Sequence, residues 1–141
     1  NKYKVAENSN RTLTTLFDPG FNERNMLILN EDPKIKPVNL DSKIELVKYS
    51  GNRVIFKTNS SDKALLYLSD NYYPGWQAYV DGSNTKILRA NYTFRAIVVP
   101  SGEHKVVFEY KPKSFYYGLY IAAGTAIILV IALRVMKKRY G

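Results

Sequence analysis

Residues Phe94–Tyr110 read FRAIVVPSGEHKVVFEY, two β-rich runs broken by Pro100-Ser101-Gly102. Branched and aromatic side chains fit a pleated surface, and proline with glycine interrupts it. The stretch therefore reads strand, turn, strand, over Phe94–Val99 and Glu103–Tyr110. The same pattern extends outward. Lys43–Tyr49 (KIELVKY) and Arg53–Thr58 (RVIFKT) flank Ser50-Gly51-Asn52, a hairpin signal with glycine available for a positive φ. Ala64–Ser69 (ALLYLS) is a more continuous apolar run, as a strand buried on both faces would be. Trp76–Val80 alternates large and small residues, and Asp81-Gly82-Ser83-Asn84 then turns the chain into a strand over Lys86–Arg89. Lys4-Val5 and Met26–Leu29 are weaker strand candidates, and Asn30–Leu40, with two prolines, reads as an extended connection. No helical period of useful length precedes residue 115. Short strands separated by turns every ten or so residues predict an all-β fold, an antiparallel β-sandwich of jelly-roll-like form.

The other end of the chain obeys a different rule. Phe115–Val135 reads FYYGLYIAAGTAIILVIALRV, with Arg134 its one charge and no proline. About 20 apolar residues, each rising ~1.5 Å, cross the hydrocarbon of a bilayer. A buried helix of a soluble protein is the alternative, but 141 residues offer no core large enough to surround such a rod. A transmembrane helix over 115–135 is expected. Arg134, Lys137, Lys138 and Arg139 crowd its carboxyl end, so the positive-inside bias makes residues 136–141 a cytoplasmic tail and 1–112 an extracytoplasmic domain. Gly118, Ala122 and Ala126 recur every four residues, a stripe that lets a second helix approach closely. The polar opening NKYKVAENSNRTL resembles the middle of a domain, so the chain reads as a piece of a longer protein whose other membrane helices would be partners.

Composition excludes several classes of chemistry. There are no cysteines, hence no disulfide framework, thiolate metal site or cysteine nucleophile. Of the net charge of +9, four belong to the basic cluster at the helix end, Arg134 with Lys137, Lys138 and Arg139, and the rest are scattered singly. No basic stripe with interleaved aromatics occurs, so no nucleic-acid partner is expected. The single histidine, His104, reads as a surface strand residue rather than a catalyst, which would need positioned partners. Asp70 and Asp81 stand at turn positions where carboxylates cap backbone N–H groups. Zinc-protease, phosphate-loop and serine-hydrolase motifs are missing, and neither a metal nor another cofactor is expected. The triplets Asn10-Arg11-Thr12, Asn59-Ser60-Ser61 and Asn91-Tyr92-Thr93 are of glycosylation type, and chance accounts for them.

Tyr72–Gly82, YYPGWQAYVDG, holds the one tryptophan of the chain. Tyr72 and Tyr73 are candidate glycan contacts, because aromatic faces suit the apolar faces of pyranose rings. Trp76 reads as a core residue at the sandwich end, and Asp81-Gly82 as a hairpin turn. Aspartates 70 and 81 would have to face each other across a cleft, roughly 5–10 Å apart, to serve as a glycosidase pair, and nothing else supports that role.

The ordered set LLYLSDNYYPGWQAYVDG (65–82), ILRANYTFRAIVVPSGEHKVVFEYKPKSFYYG (87–118) and the final apolar helix resembles the carboxyl-terminal end of the YfhO family of bacterial membrane proteins. The upstream YKVAENSN (3–10) and FDPGFNERNMLILNEDP (17–33) look like the family's entry into the same domain. The resemblance implies a polytopic parent related to glycosyltransferases that use lipid-linked sugar donors, acting on cell-envelope polymers at the outer face of the membrane. The acidic catalytic residues of such enzymes lie near the first helices, so none is carried over to this chain. A non-enzymatic module, held at the membrane by one helix and binding glycan or protein, is the competing reading.

Overall fold

A computed structural model describes residues 2–22, 25–36 and 41–140. The last four residues of the expected Asn30–Leu40 connection lie outside the described residues. The chain divides into two compact units, Asn1–Lys111 and Pro112–Gly141.

In the first unit the chain runs through β1 (Tyr3–Val5), α1 (Ser9–Leu16), β2 (Leu27–Leu29), β3 (Ser42–Ser50), β4 (Arg53–Ser60) and β5 (Ala64–Leu68). It continues through β6 (Trp76–Val80), β7 (Ser83–Thr85), β8 (Leu88–Ala90), β9 (Phe94–Val99) and β10 (Gly102–Tyr110). One sheet has the order β1-β2-β8-β9-β5 and the other β3-β4-β10-β6-β7. The pairings are antiparallel apart from β1 with β2, which is parallel. Strands β9 and β10, consecutive in sequence, lie in different sheets, and Pro100-Ser101 carries the chain across. The β3–β4 hairpin closes on Gly51-Asn52 with Ser50 opposite Arg53.

Period-two alternation builds the core. Val54 and Phe56 of β4, Ala78 of β6, and Val106 and Phe108 of β10 meet Leu66 of β5 and Ile97 and Val99 of β9 in one buried cluster. Side chains from both sheets fill this layer, which makes the unit a β-sandwich. Each of the valine, leucine, isoleucine and phenylalanine side chains among them, fully buried, contributes about 1.5–3 kcal/mol. The alternate residues Ala96 and Val98 of β9 face the other way, joining Leu29, Leu88 and Ala90 in a second cluster. There the Tyr3 hydroxyl donates to the Ile35 carbonyl at 2.9 Å, which ties down the segment after β2.

Three expectations need correction. Ser9–Leu16 is a helix, although SNRTLTTL is polar and rich in threonine. Asn8 caps it, its side-chain oxygen accepting from the Arg11 N–H at 2.9 Å, and Thr12 on the helix is buried. Local capping and one buried contact outweigh weak propensity here. The Ala64–Leu68 run is an edge strand in which only Leu66 is fully buried, because its outer face is partly covered. Of the expected Lys86–Arg89 strand only Leu88-Arg89 is strand, as part of β8; β7 (Ser83–Thr85) falls where a turn was expected and pairs with β6, and the chain then changes sheet to enter β8.

The second unit is the 28-residue helix α2 (Lys113–Tyr140). Lys113–Arg139 is long and apolar enough to cross a membrane, with a mean hydropathy of 2.2 over an 18-residue stretch of it. Ile121, Ile128 and Leu133 are all more than half exposed, which suits lipid and not water. Gly118, Ala122 and Ala126 lie along α2, and a Cβ built on Gly118 meets no atom within 4 Å.

Candidate functional site

The loop between β5 and β6 carries the residues that the sequence singled out, and a buried arginine holds it. Arg95 projects from β9 into the sandwich interior and is 1% exposed. Its Nη2 donates to Asp70 Oδ2 at 3.0 Å, and Asp70 in turn accepts from the Tyr49 hydroxyl of β3 at 3.0 Å. The guanidinium lies 3.9 Å from the Trp76 ring centre and 5.4 Å from that of Phe108. Its Nε and Nη1 make no hydrogen bond, so these aromatic faces are what the buried cation meets there. Burial pushes the Arg95 pKa down and Asp70 opposes the shift, while the hydrogen bond to Asp70 pushes the Tyr49 hydroxyl up. Asp70 thus pairs with a buried charge instead of capping a turn.

Held in this way, the loop points its two tyrosines to different places. The Tyr72 N–H donates to the Thr93 carbonyl at 2.6 Å, and Arg89 of β8 lies 5.4 Å over the Tyr72 ring. Tyr73 is 63% exposed, and its carbonyl accepts from the Trp76 N–H to close the turn. Gly75 takes φ 111° there, a conformation that a Cβ disfavours. Trp76 is half-buried at the rim of the core, against Arg95 and the Tyr110 ring. Asp81 and Gly82 both have positive φ in the two-residue turn from β6 to β7. The Asp81 carboxylate accepts from the Lys105 N–H at 2.8 Å and lies 2.6 Å from His104 Nδ1.

Tyr72 opens onto a cleft of about 450 Å³. Its polar lining includes Glu7, Asn8, Asn30, Arg89 and Tyr92, and its apolar lining is Ala6, Ile28 and Ile87. Such a volume suits a small organic ligand. Asn91 and Tyr92, which join β8 to β9, have φ 44° and 74°. Asparagine tolerates that region, but a tyrosine held there stores strain of about 1–3 kcal/mol. The surroundings enforce it: the Asn91 N–H donates to the Ile28 carbonyl at 2.8 Å, and Asn91 Oδ1 accepts from the Ile28 N–H at 2.9 Å. Asn30 similarly binds both backbone groups of Arg89. Of the two tyrosines singled out from sequence, only Tyr72 lines this cleft. Sequence reading missed Glu7, Asn30, Arg89 and Tyr92. Asn91-Tyr92-Thr93 was legible only as a glycosylation-type triplet, although its asparagine is also a signal for a left-handed turn.

A β-sandwich whose rim carries an aromatic and polar cleft, with a membrane-length helix following it, defines a membrane-associated β-domain protein. Residues 34–122 match the family model described as bacterial membrane protein YfhO, well over half of the chain. The chain belongs to the YfhO family. It is 24% identical over 96 residues to the uncharacterized protein YfhO of Bacillus subtilis (strain 168), an alignment covering 68% of this chain and 11% of that protein. The chain therefore spans about a tenth of the length of this relative. No solved structure matches it.

Proposed function

We propose that this chain is the extracytoplasmic β-domain and a membrane helix of a larger protein that glycosylates cell-envelope polymers from a lipid-linked donor. Residues 1–112 face outward, 115–135 cross the bilayer, and 136–141 lie in the cytoplasm, an orientation supported by the basic cluster at the helix end. The β-domain holds a sugar-bearing segment of the acceptor, and the chemistry belongs to membrane helices beyond this chain, which pack on the Gly118-Ala122-Ala126 stripe. The observation that carries this reading is the Tyr72 cleft in a chain of the YfhO membrane family, since an aromatic ring beside carboxylate, amide and guanidinium groups is suited to sugar hydroxyls. Replacing Tyr72 by alanine in the complete gene product should lower the sugar content of envelope polymers several-fold with membrane levels of the protein unchanged. Unaltered glycosylation would sink the cleft's role.

A second reading, a non-enzymatic module that binds a partner, is favoured by edge strand β3. Its Ile44, Leu46 and Tyr49 are each more than half exposed.

A further inference from the structure

We infer that the cleft takes an uncharged pyranose ring and that Tyr92, presented by a strained loop, is a principal contact for it. The inference rests on the glycan reading above and adds the ligand class and a residue that sequence did not single out. The formal charges in the cleft wall are one carboxylate, Glu7, and one guanidinium, Arg89. Arg89 lies over the Tyr72 ring, so part of its surface is already occupied. A phosphate or a uronic acid is normally gripped by several cations or a nest of N–H groups. Here it would meet Glu7 with no surplus of positive charge.

A neutral sugar meets suitable partners instead. A carboxylate accepts from paired hydroxyls. The side-chain oxygens of Asn8 and Asn30 are engaged by the N–H groups of Arg11 and Arg89, so each amide offers its NH₂ as donor. Ile87, partly exposed with the buried Ile28 beside it, offers an apolar contact for the C–H face of a ring, and the two tyrosines add aromatic faces.

The backbone at Tyr92 supplies an independent observation. A tyrosine with φ 74° is unfavourable, and glycine would be at ease there. A large aromatic side chain at that point, 43% exposed and lining the cleft, stands where a ligand's ring would meet it.

The test uses the full chain in detergent micelles with labelled isoleucine methyls, titrated separately with maltotriose, chitotriose and a short glycerol phosphate oligomer. At least one neutral trisaccharide should shift Ile28 and Ile87 saturably, leaving Ile55 on the other sheet unmoved. Tyr92→Gly should weaken this binding roughly tenfold or more, the scale of one lost aromatic contact, while the melting temperature holds or rises as strain is relieved. Tyr73→Ala should bind like the parent. Should Tyr92→Gly fail to fold, Tyr92→Leu serves, keeping bulk without the aromatic face. Shifts at Ile28 and Ile87 from glycerol phosphate alone would overturn the ligand class yet leave an envelope-polymer site standing. Sugar binding that moves other residues, or that survives loss of the Tyr92 ring, would overturn the site assignment while sparing the glycan reading. No binding by any of the three overturns both.

Discussion

Arg95 and His104 show how a few side chains hold the sandwich ends. A cation 1% exposed is tolerable only when paired, so the Asp70 carboxylate matters more than an ordinary surface partner. Asp70→Asn should destabilise the domain by about 2–3 kcal/mol, somewhat below the full range for broken buried pairs because Asp70 is 30% exposed. Arg95→Met, which removes the charge and keeps bulk, should cost less than Asp70→Asn. Denaturant unfolding followed by the single tryptophan measures both, since Trp76 stacks on Arg95. At the opposite end of β6, His104 offers both ring nitrogens to acceptors, the Asp81 carboxylate at 2.6 Å and the Ser101 carbonyl at 3.0 Å. Only the imidazolium can donate to both. The bond to Asp81 accordingly raises the pKa of His104 above its usual 6.5, and the bond from His104 lowers that of Asp81 below 3.8. Stability from His104 is full below pH 6.5 and lost as pH rises through the raised folded value. Stability from Asp81 is full above pH 3.8 and lost as pH falls through the lowered one. The melting temperature should therefore peak between these limits, and His104→Gln should flatten the alkaline side of the profile. An unchanged profile in that variant would remove His104 from the account.

Among the elements, β2 and β8 are the least secured by their own ladder, with a single paired position, Leu29 opposite Ala90. Asn91 completes the junction by bonding both backbone groups of Ile28, one of them through its side chain. Asn91→Ala leaves the buried Ile28 N–H without its acceptor, and should cost about 1–3 kcal/mol. Faster amide exchange at Ile28, with exchange in β4 and β10 unchanged, would be the local signature. Loss confined to β4 and β10 would contradict this role. In the sequence β8 was legible only in part, as the Lys86–Arg89 run after a turn, and β2 only as a weak candidate; in the structure Leu88 and Ala90 are buried and Arg89 between them is exposed. Alternation said nothing of α1, whose polar sequence carries only the Asn8 cap as a local sign.

At the scale of the whole molecule, two kinds of surface share one chain. The first unit buries its apolar residues between sheets, and α2 exposes them along 28 residues. A chain without cysteine makes its orientation easy to test. In intact cells a membrane-impermeant maleimide should label Ser83→Cys, and Lys138→Cys should be labelled only after the membrane is opened. The reverse pattern would invert the proposed topology and place the cleft on the cytoplasmic side.

The apolar length of Phe115–Val135 by itself determined a helix long and apolar enough to cross a membrane, because hydrocarbon thickness is matched by residues counted along one segment. Strand identity was legible for the same reason, as alternation and turn residues are local, and the ordered motifs from Leu65 to Gly118 were specific enough for the family. Only the tertiary structure decided that β9 and β10 part into different sheets, since alternation marks two faces without naming the partner of either. It also decided that Arg95 is buried between Trp76 and Phe108, and that Glu7, Asn30, Tyr72, Arg89 and Tyr92 share one cleft. These contacts join residues far apart in the chain, and no local propensity encodes which distant side chain will supply a charge, a ring or a hydrogen bond.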